Sequence, residues 1–316
     1  MKLSSKTIIF VTGSNGFLGK KLCTTLSKKK YQVIHASRSM IDNQYQNLDL
    51  KEKINWKIYL NDVDTIIHTA ARVHLAKDNE FNLYDKINTE ATLNLARQAA
   101  SLNIRRFIFI STAKVSGEES VNGRPFKETD EINNKSDAYT TSKLNAEKLL
   151  LDLSRNSSME VVIIRPPLVY GPKVKANFLS MMNWVKRSFP FPIKKNINLR
   201  SFIYIDNLID FIILTINHPN AKNEIFHISD NFDISTVDLI KKVSIVMKKR
   251  ILFIDFPEWL LSLVAIIFRK EKEVKKLKNS LQIDVSKAEK LLNWKPLVDF
   301  DKAINITVNY FYDKKN

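Results

Sequence analysis

Tyr139 and Lys143 stand four residues apart in Tyr139-Thr140-Thr141-Ser142-Lys143, so on a helix they project from one face, a turn from each other. A phenol titrates near pH ~10, but a neighbouring ammonium favours phenolate and makes it a usable proton donor and acceptor at neutral pH. Such a pair suits a reaction in which a proton moves on oxygen while a nicotinamide moves hydride on carbon. Far upstream, Gly13, Gly16 and Gly19 form G-x-x-G-x-x-G. Glycines let this turn close and let backbone N–H groups approach a pyrophosphate at the positive end of a helix, where side chains would obstruct it. The loop with Asn15, Phe17 and Leu18 is therefore a candidate dinucleotide site.

Elements of fixed direction must hold these groups. Thr7–Thr12 reads as a short buried strand and Phe17–Leu26 as a helix, a βα unit with the glycines at its turn. Apolar runs recur at Gln32–Ala36, Thr65–His68, Arg106–Ser111 and Val161–Arg165, separated by helical stretches such as Asn88–Ala100 and Ser142–Leu153. This alternation predicts an α/β fold, a Rossmann-type doubly wound parallel sheet with helices on both faces. After Pro166-Pro167 the pattern loosens, although Glu224–Ser229 still reads as a strand. The expected division is a dinucleotide-binding core over 1–165, rejoined by segments such as 203–230, and a smaller interleaved substrate-binding region over 166–316.

With 316 residues, 44% of them hydrophobic, the chain can bury a sizeable core. Cys23 is its only cysteine, which excludes an intramolecular disulfide and zinc-ligand spacing; a reducing compartment, the cytoplasm, is expected. No metal site is expected. The first residues are too short an apolar run for a secretory signal. Trp259–Phe268 is the most apolar stretch, far short of the roughly twenty residues of a membrane span. Its basic flanks leave a peripheral contact with an anionic membrane open beside a buried helix. The net charge of +17 is dispersed in runs such as Lys28-Lys29-Lys30 and Lys248-Lys249-Arg250, without any nucleic-acid motif, so no nucleic-acid partner is expected.

The glycine spacing together with Tyr139 to Lys143 resembles the extended short-chain dehydrogenases, the family of nucleotide-sugar epimerases, dehydratases and ketoreductases. Matching segments continue in order: His68-Thr69-Ala70-Ala71, Ser111-Thr112-Ala113, Arg165-Pro166-Pro167, Val169-Tyr170-Gly171-Pro172 and Arg200-Ser201-Phe202 through Asp206. The resemblance implies that Lys143 also binds the nicotinamide ribose and that Thr112, with Ser111 as its neighbouring alternative, bonds the reacting sugar oxygen. It places Ala70, Ala71 and Pro166 among the cofactor contacts, and Asp49 with Leu50 on the adenine side. Asn177 and Arg200 match positions that hold a nucleotide diphosphate. Arg72, His74 and Lys114 would lie near the sugar, and Asn88 would brace the backbone there. Ser37-Arg38 follows the second strand where NAD-binding members often carry an acid; a guanidinium suits a 2′-phosphate, so NADP(H) is the expected cofactor, with NAD(H) the other choice.

Within the family, Ser111 to Val115 and Arg165 to Phe178 look most like bacterial ketoreductases acting on UDP-linked 4-keto-6-deoxy-N-acetylhexosamines, the UDP-N-acetylquinovosamine type of polysaccharide synthesis. The expected partner is therefore a UDP-linked amino sugar, and a homodimer is left open. A UDP-hexose 4-epimerase is the alternative, with Lys114 and Ser116 departing from the threonine and tyrosine common there. A non-catalytic dinucleotide-binding protein is the third reading.

Overall fold

The computed structural model describes residues 7–38, 45–73, 81–121, 123–132, 137–193, 198–254 and 279–313. Its centre is a parallel sheet in which β1 (Ile8–Thr12) pairs with β2 (Gln32–Ser37) on one side and β4 (Thr65–His68) on the other. β3 (Tyr45–Asn47) lies beyond β2, while β5 (Arg106–Ile110), β6 (Glu160–Arg165) and β9 (Glu224–His227) follow β4, giving the order β3-β2-β1-β4-β5-β6-β9. The chain thus reverses direction across the sheet between β1 and β4, and a crevice opens beyond the carboxyl ends of these strands. β4 and β5 are buried along their whole length because they face helices on both sides, which is why they read as unbroken apolar runs.

Two cores flank the sheet. One packs α1 (Phe17–Lys28) with α5 (Ala176–Lys186), α6 (Ile205–Asn217), α7 (Thr236–Val246) and the C-terminal helix Phe300–Asp313. The other packs the short α2 (Phe81–Asp85), α3 (Ala91–Ser101) and α4 (Ala138–Arg155). Cys23 is buried in the first core, where desolvation pushes its thiol up to about 12.

A second, two-stranded parallel sheet, β7 (Leu168–Tyr170) with β8 (Phe202–Tyr204), is an element that sequence periodicity does not reveal. It is tied to the main sheet by one carboxylate. Asp230, just past β9, accepts hydrogen bonds from the Tyr170 hydroxyl at 2.7 Å, the Asn207 amide at 2.7 Å and the Tyr204 backbone N–H at 2.9 Å. Asn207 in turn exchanges hydrogen bonds with the backbone of Val298.

The helix holding Tyr139 and Lys143 starts at Ala138, four residues before the apolar periodicity begins. Asp137 explains the early start: its carboxylate accepts from the Thr140 N–H at 2.8 Å, capping a first turn of modest helix formers. Trp259–Phe268 lies outside the described residues. Among those described, no helix is long and apolar enough to cross a membrane.

At the amino ends of β4, β5 and β6 two arginines close the fold. Buried Arg106 donates to Glu160 at 2.6 and 2.8 Å and to the carbonyls of Ile216 and His218, so it caps the end of α6 where the helix dipole is negative. Arg105 grips Asp64 at 2.6 Å and reaches the Ile216 carbonyl as well. Arg106→Ala should therefore strand Glu160 and several carbonyls, and lower stability by about 3–5 kcal/mol in urea unfolding. A loss below about 1 kcal/mol would show the clamp to be incidental.

Candidate functional site

Gly13 adopts a left-handed φ of +67°, and a Cβ built on it would lie 2.7 Å from the Ala70 nitrogen and 2.8 Å from Thr69 Oγ1. A Cβ on Gly19 would strike the carbonyl group of Gly13, its carbon at 2.8 Å and its oxygen closer still. Both positions require glycine on steric grounds. The Gly16 N–H bonds back to the Gly13 carbonyl at 2.8 Å, and α1 begins at Phe17 with no acid in its first turn. Its amino end is thus left positive, and its N-cap Gly16 brings no side chain to occupy it, as an anion requires. This cradle at the sheet's reversal point fits the pyrophosphate of a dinucleotide.

Ser14 fastens the loop to β2 through the Ala36 carbonyl, and Leu48 N–H bonds the Ser37 carbonyl at 2.8 Å. Asp49 and buried Leu50 therefore stand beside the end of β2, with Asp49 Oδ1 accepting from the Lys51 N–H. Arg38 follows β2 directly and is exposed. On the other side, Ala70 and Ala71 leave β4 next to Gly13, and Thr69 Oγ1 donates to the Thr12 carbonyl at 2.7 Å.

Lys143 is 2% exposed, its Nζ donating to the Ile110 carbonyl at 2.7 Å and lying 4.3 Å from the centre of the Phe109 ring. Burial lowers its ammonium to about 7, opposed by the negative charge of Glu147. Tyr139 is half-buried one turn earlier, and its phenol is pushed above its ordinary value by desolvation and by Asp137. The sequence argument weighs only the ammonium's attraction, whereas desolvation acts on the phenol in the opposite direction.

Thr112 and Ser111 follow β5, close in sequence to the carbonyl that holds Lys143. Thr112 caps the turn Ala113–Ser116, accepting from the Lys114 N–H at 3.4 Å, while Ser111 is buried with no partner for its hydroxyl among the described residues. The Ala113 N–H bonds the Pro166 carbonyl at 2.9 Å, so Pro166 borders the same end of the sheet. Lys114 Nζ lies 3.6 Å from Asp137, the residue that caps α4 ahead of Tyr139.

Asn88 braces this region. It exchanges hydrogen bonds with the backbone N–H and C=O of Arg72 at 2.8 and 3.0 Å and donates to Ser142 Oγ, which itself donates to the Tyr139 carbonyl. The Arg72 guanidinium lies over the Tyr84 ring. His74 falls outside the described residues. Asn177 is exposed in the first turn of α5. Arg200, which the sequence presents as a lone cation ahead of apolar residues, is half-buried: its backbone bridges Ile234 and Leu281, and its guanidinium donates to the Asn279 carbonyl at 2.9 Å. The apolar residues after it join the core and draw it down with them.

Several members of the site escape sequence reasoning. Glu147, one turn beyond Lys143, is fully buried and accepts from Arg165 at 2.6 and 3.1 Å; Arg165 reaches Ser116, which bonds buried His227. The available signal was spacing, since Glu147 repeats the interval of Tyr139 and Lys143. His68 was seen only as part of a motif. Its ring bonds Thr12 at 2.8 Å and Thr92 at 3.0 Å, stacks on Phe109, and is held to about 3 by burial and by Lys143. No group of three metal-ligating side chains occurs among the described residues.

Residues 9–229 match the model of the NAD dependent epimerase/dehydratase family. A UDP-glucose 4-epimerase of Vibrio cholerae is 37% identical over 98% of this chain and 96% of its own length. A putative UDP-glucose 4-epimerase of Methanocaldococcus jannaschii is 28% identical over 96% and 98%. Among solved structures, UDP-glucuronic acid 4-epimerase from Bacillus cereus in complex with NAD superposes with a TM-score of 0.80 at 22% identity, covering 98% of this chain and all of the other.

His68 and His227 are both held near 3, well below the ordinary 6.5, because burial penalises the imidazolium. The unfolded chain takes up protons between pH 6.5 and 3 that the folded one refuses, so stability falls as pH falls through that window. His68→Gln should narrow the stability gap between about pH 7 and pH 5 by up to about 2 kcal/mol in urea titrations. An unchanged gap would mean that His68 is not neutral in the fold.

Proposed function

The chain belongs to the NAD-dependent epimerase/dehydratase family, and from that premise we propose that it is a UDP-sugar 4-epimerase. What carries the reading is the 37% identity, along nearly the full length of both chains, with a relative named as UDP-glucose 4-epimerase. The comparisons favour this over the 4-ketoreductase expected from the segments around Ser111 and Arg165, and an amino-sugar substrate rests on that sequence resemblance alone. A nicotinamide cofactor held at the glycine cradle would supply a reversible hydride acceptor for the sugar's C4.

Tyr139 takes the proton of the C4 hydroxyl and returns it to the same oxygen after the sugar has presented its other face. The Lys143 charge favours the phenolate form of Tyr139 that this transfer requires. Thr112 bonds the reacting oxygen, with Ser111 offering a second buried hydroxyl at the strand end. Asn177 and Arg200 hold the diphosphate, the guanidinium suiting phosphate through its paired donors. Lys114, anchored near Asp137, contacts the sugar beside Arg72.

The test is incubation of the purified protein with UDP-glucose and UDP-N-acetylglucosamine, following sugar configuration by NMR and nicotinamide by absorbance. Epimer should form with no net change in nicotinamide. Stoichiometric oxidation of reduced cofactor by a UDP-4-keto sugar, without epimer formation, would restore the ketoreductase reading. Tyr139→Phe should cut turnover by roughly 10²–10⁴-fold while cofactor affinity stays.

For the cofactor we infer NAD(H), which the solved relative from Bacillus cereus carries. The preference for NADP(H) rests on Arg38, whose exposed side chain is equally suited to solvent. Titration should find NADH bound at least as tightly as NADPH, and Arg38→Asp should leave NADH affinity within about threefold while NADPH weakens at least tenfold. Tighter NADPH binding by the unaltered protein would reverse the assignment.

A further inference from the structure

Two segments remote in sequence from the cradle meet where α5 and α7 end. The backbone of Phe191 bridges Leu252 and Ile254, its N–H donating to the Leu252 carbonyl at 2.8 Å and its carbonyl accepting from Ile254 at 2.9 Å. Chain alternation then turns Phe191 and Phe253 inward, their rings 6.1 Å apart, and leaves Leu252 and Ile254 outside. Trp184 and Phe189 form an edge-to-face pair at 5.7 Å, 42% and 45% exposed. With Ile245 these make five of the thirteen large hydrophobic side chains exposed among the described residues, gathered in two short stretches. Scattered apolar residues are ordinary; a clustered set including tryptophan and phenylalanine marks a contact surface.

The two described segments that carry it are basic. Residues 176–193 and 239–254 contain no Asp or Glu, but carry Lys186, Arg187, Lys241, Lys242, Lys248, Lys249 and Arg250. Asp238 and Asp301 neutralise Lys241 and Lys242, leaving the other five cations bordering the aromatic pair and Leu252. A protein partner fitting this surface would have to be both apolar and strongly acidic; a bilayer with anionic headgroups offers both at once, with headgroups for the cations and an interface for the rings. We propose that this face docks the protein peripherally on an anionic lipid surface. Docking leaves the cleft accessible, because Asn177, which the proposed function puts at the cleft, lies about 10 Å along α5 from Trp184 and about 13 Å from Lys186 at the patch. The inference stands independently of which sugar the cleft accepts.

Flotation of the full chain with vesicles of mixed phosphatidylglycerol and phosphatidylcholine, against phosphatidylcholine alone, tests this. Binding should require the anionic lipid and weaken with salt, each basic residue near such a surface strengthening it about fivefold. Trp184→Ser with Phe189→Ser, and separately Lys248→Glu with Arg250→Glu, should each reduce binding at least tenfold. The second pair alters only surface charge, so it keeps the test decisive should the first misfold; thermal unfolding and sugar turnover should be unchanged in it. No binding to anionic vesicles, equal binding to neutral ones, or full binding by the charge variant would overturn the proposal. So would a dimer in sedimentation that the charge variant dissociates, since the face would then belong to a second copy of the chain.

Discussion

A lysine ammonium taken out of water must be compensated, and the burial of Lys143 imposes that constraint on everything around it. The Ile110 carbonyl and the face of Phe109 receive the cation from β5, while Glu147 answers it from the next turn of α4. Glu147 is then itself a buried charge, and it is held by Arg165 from β6. Arg165 reaches Ser116 and, through it, His227 on β9. Three neighbouring strands and a helix are thus fixed around one amine, each polar group buried only because the next one satisfies it. Removing Glu147 or Arg165 leaves a desolvated charge, so the pairing of β5 with β6 is coupled to the placement of Lys143.

The same constraint keeps His68 neutral. A second cation beside Lys143 would have no counter-charge, and the Thr12 and Thr92 hydroxyls bond a neutral ring equally well. His68 therefore acts as a strut joining β4 to β1 and α3, directly beneath Ala70 and the glycine loop.

How much of this was legible in the sequence follows from how local each cause is. Gly13, Gly16 and Gly19 between an apolar run and an amphipathic one announce a dinucleotide turn because sterics within seven residues decide it. Tyr139 and Lys143 share a face through helix geometry alone. The strands buried on both sides announce themselves by composition. What the sequence hides depends on pairing at long range: β3, β7 and β8 are three residues each and form only because a neighbour is already in place. Arg200 illustrates the same limit, since one cation before apolar residues reads as exposed until Asn279, Ile234 and Leu281 close around it. The direction in which Tyr139 shifts was hidden too, because a pair reading supplies the attraction between charges and omits the solvent that both groups lose.

Asp230 has a consequence for how the molecule can move. One carboxylate at the exit of β9 holds Tyr170 of β7, Tyr204 of β8 and Asn207 of α6, and Asn207 is locked to Val298. The small sheet is thereby pinned to the large one by charge-assisted hydrogen bonds inside a dry core, where rotation of one body against the other would tear several of them at once. The protein cannot clamp its ligand as two jaws would. Under the proposed epimerase reading, the turning that a reaction at both faces of a sugar demands falls to the sugar, tumbling inside walls that stay still.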